Sequence, residues 1–301
     1  MNLLVTGAWI GAKEHIPALE AMGHSVSFLP WEKDPLPCDP AWVEGVICNS
    51  LFLHHGIESF PNLRYIQLIS AGLDRVDLGY IAANGIELHN ARGVYSIPMA
   101  EFAVGGVLQL YKQAKIFYEN QKARVWEKHR GLRELCGRTV TILGCGSVGT
   151  ECAKRFRAFG CRVLGVDLYP RQDENYDEIW PLSDLDRVLQ ETDVLVLTVP
   201  LTEETRGLIN GDRLAEIKPG AVLVNIARGP IVDESALIDA LQSGRLSGAV
   251  LDVFETEPLP ADSPLWAMDN VVLTPHNSFA GEGNDERLAV VIRKNLKTRR
   301  K

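Results

Sequence analysis

Along the first ninety positions, apolar residues fall into short runs separated by polar, glycine-containing segments. LLVTG, SVSFL, GVICNS, LRYIQLIS and GIELHN have strand length. Between the first two, KEHIPALEAMG reads as a helix closed by Gly23, and another helix follows the turn SAGLD. Strand and helix alternate, which predicts a parallel sheet covered on both faces.

From about Pro98 to Gln121 the pattern predicts one long helix, with Pro98 in its first turn. Val104, Val107, Leu108 and Tyr111 form one stripe, while Phe102, Leu110, Ala114 and Phe117 lie on other faces. A helix apolar on several faces is buried on more than one side. Between Thr139 and Pro275 six strand candidates follow: TVTILG, RVLGVD, DVLVLTVP, AVLVNIA, SGAVLDVF and NVVLTP. Helical stretches separate them, such as ALIDALQSG with Gly244 at its end. Six strands with crossovers suit a doubly wound dinucleotide domain.

Composition narrows the function classes. The 301 residues are 46% apolar and 23% charged, ordinary for a globular protein of two domains. A formal net charge of −8 argues against a nucleic-acid partner, which needs a basic surface. The one basic run, RKNLKTRRK at the end, reads as a solvated terminal helix. No apolar run approaches the ~20 residues of a membrane span. MNLLVTGAWIG lacks the basic start of a signal peptide. Six scattered cysteines form neither C-x-x-C nor a zinc spacing, so no metal is expected and a reducing cytoplasm suits them.

The stretch LGCGSVG carries G-x-G-x-x-G at Gly144, Gly146 and Gly149. It follows a strand and opens the helix GTECAKRFRAFG, whose buried face is expected to carry Val148, Cys152, Phe156 and Phe159. The next strand ends in Asp167, 18 residues beyond Gly149, close to the spacing of about 20 at which an acid meets a ribose diol. Gly144 permits the tight turn, Gly146 leaves room for a pyrophosphate and Gly149 lets helix and strand pack closely. A second glycine pair, Gly7 and Gly11 in VTGAWIG, has the wrong spacing and no acid after its next strand, and reads as a plain turn.

Three later loops carry charge where a strand ends: NIARGPIVDE with Arg228, LDVFETEPLP with Glu257, and TPHNS with His276. In a parallel sheet all three emerge on the edge of the glycine turn, so they converge on one nicotinamide site. Hydride transfer from a nicotinamide to a carbonyl carbon also requires a proton for the oxygen. An imidazolium supplies that proton near neutral pH, and a carboxylate beside it stabilises the charge and holds the tautomer. A guanidinium matches a carboxylate bidentately and so orients a substrate that carries one.

The blocks SAGLDRVD, YSIPMAE, LGCGSVG, VPLTEETRGLIN, NIARGPIVDESALIDAL, GAVLDVFETEPLP and TPHNS cover nearly the whole chain. In them the chain resembles the D-isomer-specific 2-hydroxyacid dehydrogenase family. The resemblance implies an α/β fold of two doubly wound parallel-sheet domains. A Rossmann NAD-binding domain, 96–279, is inserted into a flavodoxin-like substrate domain, 1–95 and 280–301, with the active site in the cleft between them. It implies that Arg228 binds the substrate carboxylate and polarises the keto group, that His276 is the general acid/base, and that Glu257 pairs with it. Arg228 and His276 then count on both the cofactor and the substrate side. Ser147 and Val148 would line the pyrophosphate, Val199 and Pro200 the adenosine, Ile226 and Ala227 the nicotinamide ribose, and Asp252 the carboxamide unless it only caps its strand. Ala71 and Gly72 would offer N–H groups to the substrate carboxylate.

In phosphoglycerate-type relatives the loop after the strand GVI carries an arginine for the substrate phosphate. Here it reads Asn49, Ser50, Leu51, Phe52 and Leu53, followed by His54 and His55 on the surface and then a helix. With Leu51 as a substrate contact and no cation, an uncharged substrate side chain is expected, as in glyoxylate or hydroxypyruvate. The family also implies NAD(H) as cofactor, with Asp167 disfavouring a 2′-phosphate and Arg171 softening that preference. It implies a homodimer through the 98–121 segment, with Trp126 near the partner's site. Two features depart from the family: NSFAGEGNDE replaces a commoner small-residue run, and the chain stops at RRK, so no regulatory domain is expected. Phosphoglycerate dehydrogenase-type activity, phosphite or formate oxidation, and an NAD-sensing corepressor are the alternatives on this scaffold.

Overall fold

The computed structural model describes residues 1–298. Arg299, Arg300 and Lys301, the end of the basic run, lie outside them. The chain divides into two compact units, Met1–Tyr95 with the segment from Gly281 onward, and Ser96–Ala280.

The first unit contains β1 (Asn2–Thr6), α1 (Ala12–Ala21), β2 (Ser25–Leu29), β3 (Gly45–Cys48), β4 (Tyr65–Leu68), α2 (Leu78–Ala83) and β5 (Glu87–His89). Its sheet is parallel throughout, in the order β2-β1-β3-β4-β5. Successive side chains of a strand point to opposite faces, and the core divides accordingly. Leu3, Val5, Ile47 and Tyr65 pack with Leu19 of α1, whereas Leu4, Val46, Cys48 and Ile66 pack with Ile57, Phe60 and Ile81. Instead of the helix expected after β3 there are two 3₁₀ turns, Leu51–Leu53 and Ile57–Ser59.

The second unit contains α3 (Ser96–Tyr111), α4 (Ala114–Ala123), β6 (Thr139–Leu143), α5 (Ser147–Ala158), β7 (Arg162–Asp167), β8 (Glu178–Pro181), α6 (Leu185–Leu189), β9 (Val194–Leu197), α7 (Gly211–Glu216), β10 (Ala221–Asn225), α8 (Glu234–Gln242), β11 (Leu246–Leu251) and β12 (Val271–Leu273). The sheet order is β12-β11-β10-β9-β6-β7-β8, again all parallel. It has seven strands where the hydrophobic pattern predicts six. The extra one is β8, EIWP, a four-residue edge strand paired to β7 alone. Its proline is tolerated because an edge strand need not donate on both sides.

The long helix predicted over 98–121 is two helices. Gln113 takes a left-handed conformation, φ 50°, and separates α3 from α4. The division follows burial: α3 buries Ala100, Ala103, Val107 and Tyr111, and α4 buries nothing. Gly106 lets α3 lie on the sheet, since a Cβ there would stand 2.5 Å from Val250 Cγ1. On α5, Gly149, Cys152, Ala153 and Phe156 are buried, but Phe159 lies past the helix end and is exposed.

The chain returns to the first unit through α9 (Asn284–Thr298). Leu288, Ala289, Ile292 and Leu296 join the Leu3–Val5 face. Polar contacts fix the position of the helix. Asn295 donates to buried Gln67 at 2.9 Å, and Asp285 accepts from Trp9 Nε1 at 2.7 Å and pairs with His15 at 3.0 Å. Gly11 makes the space, because a Cβ there would stand 2.1 Å from the Asp285 carboxylate. Replacing Asp285 with Ala strands the buried Trp9 donor. Such a loss costs about 1–3 kcal/mol, so the midpoint of urea unfolding is expected to fall, and to fall less for Asp285→Asn. An unchanged midpoint in the Ala variant would remove this contact from the account of how the helix is held.

Candidate active site

The glycine turn is shaped by contact. Gly144 follows β6 with φ 99°, and a Cβ on it would stand 2.9 Å from Val199 N. A Cβ on Gly149 would stand 2.0 Å from Gly144 O, so α5 packs directly on the turn. Gly146, the N-cap of α5, has nothing within 4 Å of its Cβ position, and no side chain caps that helix end. The turn therefore combines open space with the positive end of a helix dipole, which suits a phosphate. Ser147 and Val148 form the first helical turn, with Val148 resting on the core.

Asp167 and Arg171 clasp one residue of this turn, Cys145. Asp167 accepts from Cys145 N at 2.7 Å and from Tyr169 N at 2.9 Å, and Arg171 donates to Cys145 O at 2.8 Å. Burial pushes the Cys145 thiol up to about 12, so the cysteine inside the motif stays a neutral packing group.

The loop after β9 is tied to the turn by Thr198, which donates to Gly144 O at 2.6 Å. Next to it come Val199 and Pro200, and the carbonyl of Pro200 is held by Thr205 Oγ1 at 2.7 Å. After β10, the buried Asn225 shapes the arginine loop. It donates to Arg228 O at 3.0 Å and accepts from Ala227 N at 3.1 Å. Ile226 and Ala227 are buried, and Arg228 is half-buried with Nη1 donating to Ala227 O at 2.7 Å. Gly229 lets this loop meet the one after β11, since a Cβ there would stand 1.9 Å from Phe254 C and O.

The loop after β12 hangs on Asp252. Its carboxylate, fully buried, accepts from Thr274 Oγ1 at 2.6 Å, Asn277 N at 2.7 Å and Ser278 N at 2.9 Å. Its carbonyl accepts from His276 N at 2.8 Å. These bonds hold His276 at φ 51°, a conformation that costs an ordinary residue about 1–2 kcal/mol. The His276 Nδ1 then lies 2.8 Å from Glu257 Oε2, while Glu257 Oε1 accepts from Phe254 N at 3.2 Å. Both side chains are about two-fifths exposed, 40% and 37%. With Nδ1 engaged by a carboxylate, Nε2 is the nitrogen that can exchange a proton with a ligand.

In the first unit, Ala71 and Gly72 lie on the loop after β4. Asn90 donates to Ala71 O at 2.7 Å and Ser70 Oγ to Gly72 O at 3.0 Å. The Leu51 side chain is fully buried in the core of its own unit, so only its backbone faces the loop's surroundings. His54 is exposed, but His55 is half-buried, with Nε2 lacking a hydrogen-bond partner. The sequence reading missed Thr198, Thr205 and Asn225. Asn225, a polar residue closing the apolar run AVLVN, was the one visible signal.

Comparison with known proteins agrees with this geometry. Residues 104–278 match the family model for the D-isomer specific 2-hydroxyacid dehydrogenase, NAD binding domain. A glyoxylate reductase of Thermofilum pendens is 38% identical over 246 residues, covering 80% of this chain and 73% of that protein. A hydroxypyruvate reductase of Thermotoga maritima is 39% identical over 225 residues, covering 73% and 72%. The solved structure of D-lactate dehydrogenase from Aquifex aeolicus, complexed with NAD and lactic acid, has a TM-score of 0.81 at 29% identity, over 98% of this chain and 94% of that one. With a dinucleotide turn and an Arg, Glu and His on neighbouring strand ends, the chain belongs to the D-isomer-specific 2-hydroxyacid dehydrogenases and is an NAD(H)-dependent oxidoreductase.

Proposed function

We propose that the protein reduces a small 2-oxo acid with an uncharged side chain, of the glyoxylate or hydroxypyruvate type, to the D-2-hydroxy acid. The observation that carries this reading is the His276–Glu257 pair at 2.8 Å, on the strand edge that also holds Arg228 and the glycine turn. NADH, when bound, supplies the hydride. Arg228 holds the substrate carboxylate and polarises the keto group, which fixes the face of C2 presented to the cofactor. His276 delivers the proton to the substrate oxygen from Nε2, and Glu257 stabilises the imidazolium beforehand.

For the cofactor, we assign Gly144, Gly146, Ser147, Val148 and Gly149 to the pyrophosphate, Asp167 to the ribose diol, Val199 and Pro200 to the adenosine, and Ile226 and Ala227 to the nicotinamide ribose. Asp252 already accepts three hydrogen bonds from its own loop. Being fully buried, it is read as the cap of its own strand and loop rather than as a carboxamide contact. In the first unit, Ala71 and Gly72 and the loop from Asn49 to Leu53, Leu51 included, serve the substrate.

The test is NADH oxidation against a panel of 2-oxo acids, with formate and phosphite tried in the oxidative direction. His276→Ala is expected to lower kcat by roughly 10²–10⁴, the contribution of a positioned acid, with NADH affinity kept. Arg228→Ala is expected to raise KM and lower kcat. NADPH is expected to give a lower kcat/KM than NADH, because the Asp167 carboxylate opposes a 2′-phosphate. Wild-type turnover in either variant removes that residue from the mechanism, and turnover of formate or phosphite alone overturns the reaction class.

The assembly we propose is a homodimer. Ile116, Phe117 and Tyr118 on α4, and Val125, Trp126 and Leu132 after it, are all exposed, Trp126 at 98%. Apolar side chains gathered this way mark an association surface. Light scattering at micromolar concentration is expected to give twice the chain mass; a monomer would contradict the assignment.

A further inference from the structure

The five-stranded sheet reverses its strand order between β1 and β3. In open parallel sheets such a reversal leaves a crevice beyond the carboxyl ends of the two strands, and ligands bind there. In this unit a side chain of the protein occupies it. Glu32 Oε1 accepts from Thr6 Oγ1 at 2.8 Å and from Asn49 N at 2.6 Å, and Oε2 accepts from Ser50 N at 2.7 Å. Thr6 is the last residue of β1, and Asn49 and Ser50 directly follow β3.

The approach is built into the backbone. Gly7 N donates to Leu29 O at 2.8 Å, and a Cβ on Gly7 would stand 2.2 Å from Pro30 O. The exit of β2 therefore lies against the exit of β1, and Glu32 is carried over the crevice. Neighbouring groups register the charge: burial, and after it the Glu32 carboxylate, push the Cys48 thiol up. Two adjacent backbone N–H groups and a hydroxyl make a good site for one anion. Arg75 reaches the same loop, but donates to Ser50 Oγ at 3.2 Å.

We propose that Glu32 is a specificity-determining residue. Its carboxylate takes the anion position of the switch crevice, so a 2-oxo acid bearing a phosphate or second carboxylate meets occupied donors and a like charge, while an uncharged side chain meets neither. This rests on the reading above that the loop from Asn49 to Leu53 serves the substrate. The two glycine positions of VTGAWIG thereby acquire duties: Gly7 admits the strand exit that carries Glu32, and Gly11 admits Asp285.

The experiment compares 3-phosphohydroxypyruvate with hydroxypyruvate in wild type, Glu32→Gln and Glu32→Ala. The ratio of kcat/KM, phosphorylated over unphosphorylated, is expected to rise at least about tenfold in both variants, the factor associated with one charge-assisted hydrogen bond. A residue that merely braced the loop would lower both substrates together and leave the ratio unchanged, and that result would overturn the proposal. The Gln variant keeps the shape of the side chain should the Ala variant fail to fold. Calorimetric titration of inorganic phosphate into NADH-saturated protein supplies a readout independent of turnover. Glu32→Ala is expected to bind phosphate at least about tenfold more tightly than wild type, and equal affinities would overturn the proposal. If wild type reduces no 2-oxo acid at all, the reading of the reaction fails, and the titration still decides whether Glu32 fills an anion position.

Discussion

Every strand pairing in the described residues is parallel, and this constraint decides where the chemistry can sit. A parallel sheet sends all its carboxyl ends to one edge and leaves the return crossovers to the helices. The glycine turn after β6 and the loops bearing Arg228, Glu257 and His276 after β10, β11 and β12 therefore share an edge without any being near another in sequence. The same constraint in the smaller sheet places Thr6, Glu32, Asn49 and Ser50 together.

Edge position alone leaves a loop free to move. What holds these loops is a small set of polar side chains at strand ends. Asp252 spends its carboxylate on the backbone of the histidine loop and the Thr274 hydroxyl, Asn225 closes the arginine loop on itself, and Thr198 ties β9 to the dinucleotide turn. A site held this way presents His276 in a backbone conformation it would not adopt alone, with its ring already against Glu257. In the proposed reaction, preorganisation of this kind removes reorganisation from the chemical step. Glycine supplies the complementary device: Gly229 and Gly149 are positions where two backbones touch and a Cβ has no room.

Much of this is written locally in the chain. Runs of four to six apolar residues mark the buried strands, since a strand covered on both faces has no polar side to show. The glycine spacing, the acid at the end of the next strand and the charged residues after three strands mark the dinucleotide turn and the groups proposed to react, because each signal lies within a few residues of the element that positions it. The elements that were not legible are those whose reason lies elsewhere in the fold. EIWP has too few apolar residues to announce a strand and becomes one by pairing with β7. The helical pattern through Gln113 continues across a break that only the burial of α3, and not of α4, explains.

The sequence by itself determined which residues are capable of the chemistry and the order of elements that brings them to one edge, because hydrophobic period and glycine spacing are local properties. Only the tertiary structure decided what each polar group is bound to. Leu51 went into the core, Asp252 took hold of the histidine loop, and Glu32 closed over the donors of Asn49 and Ser50. A carboxylate or an N–H group is committed by whichever partner the fold places within about 3 Å of it, and that partner belongs to another strand, which no local pattern specifies.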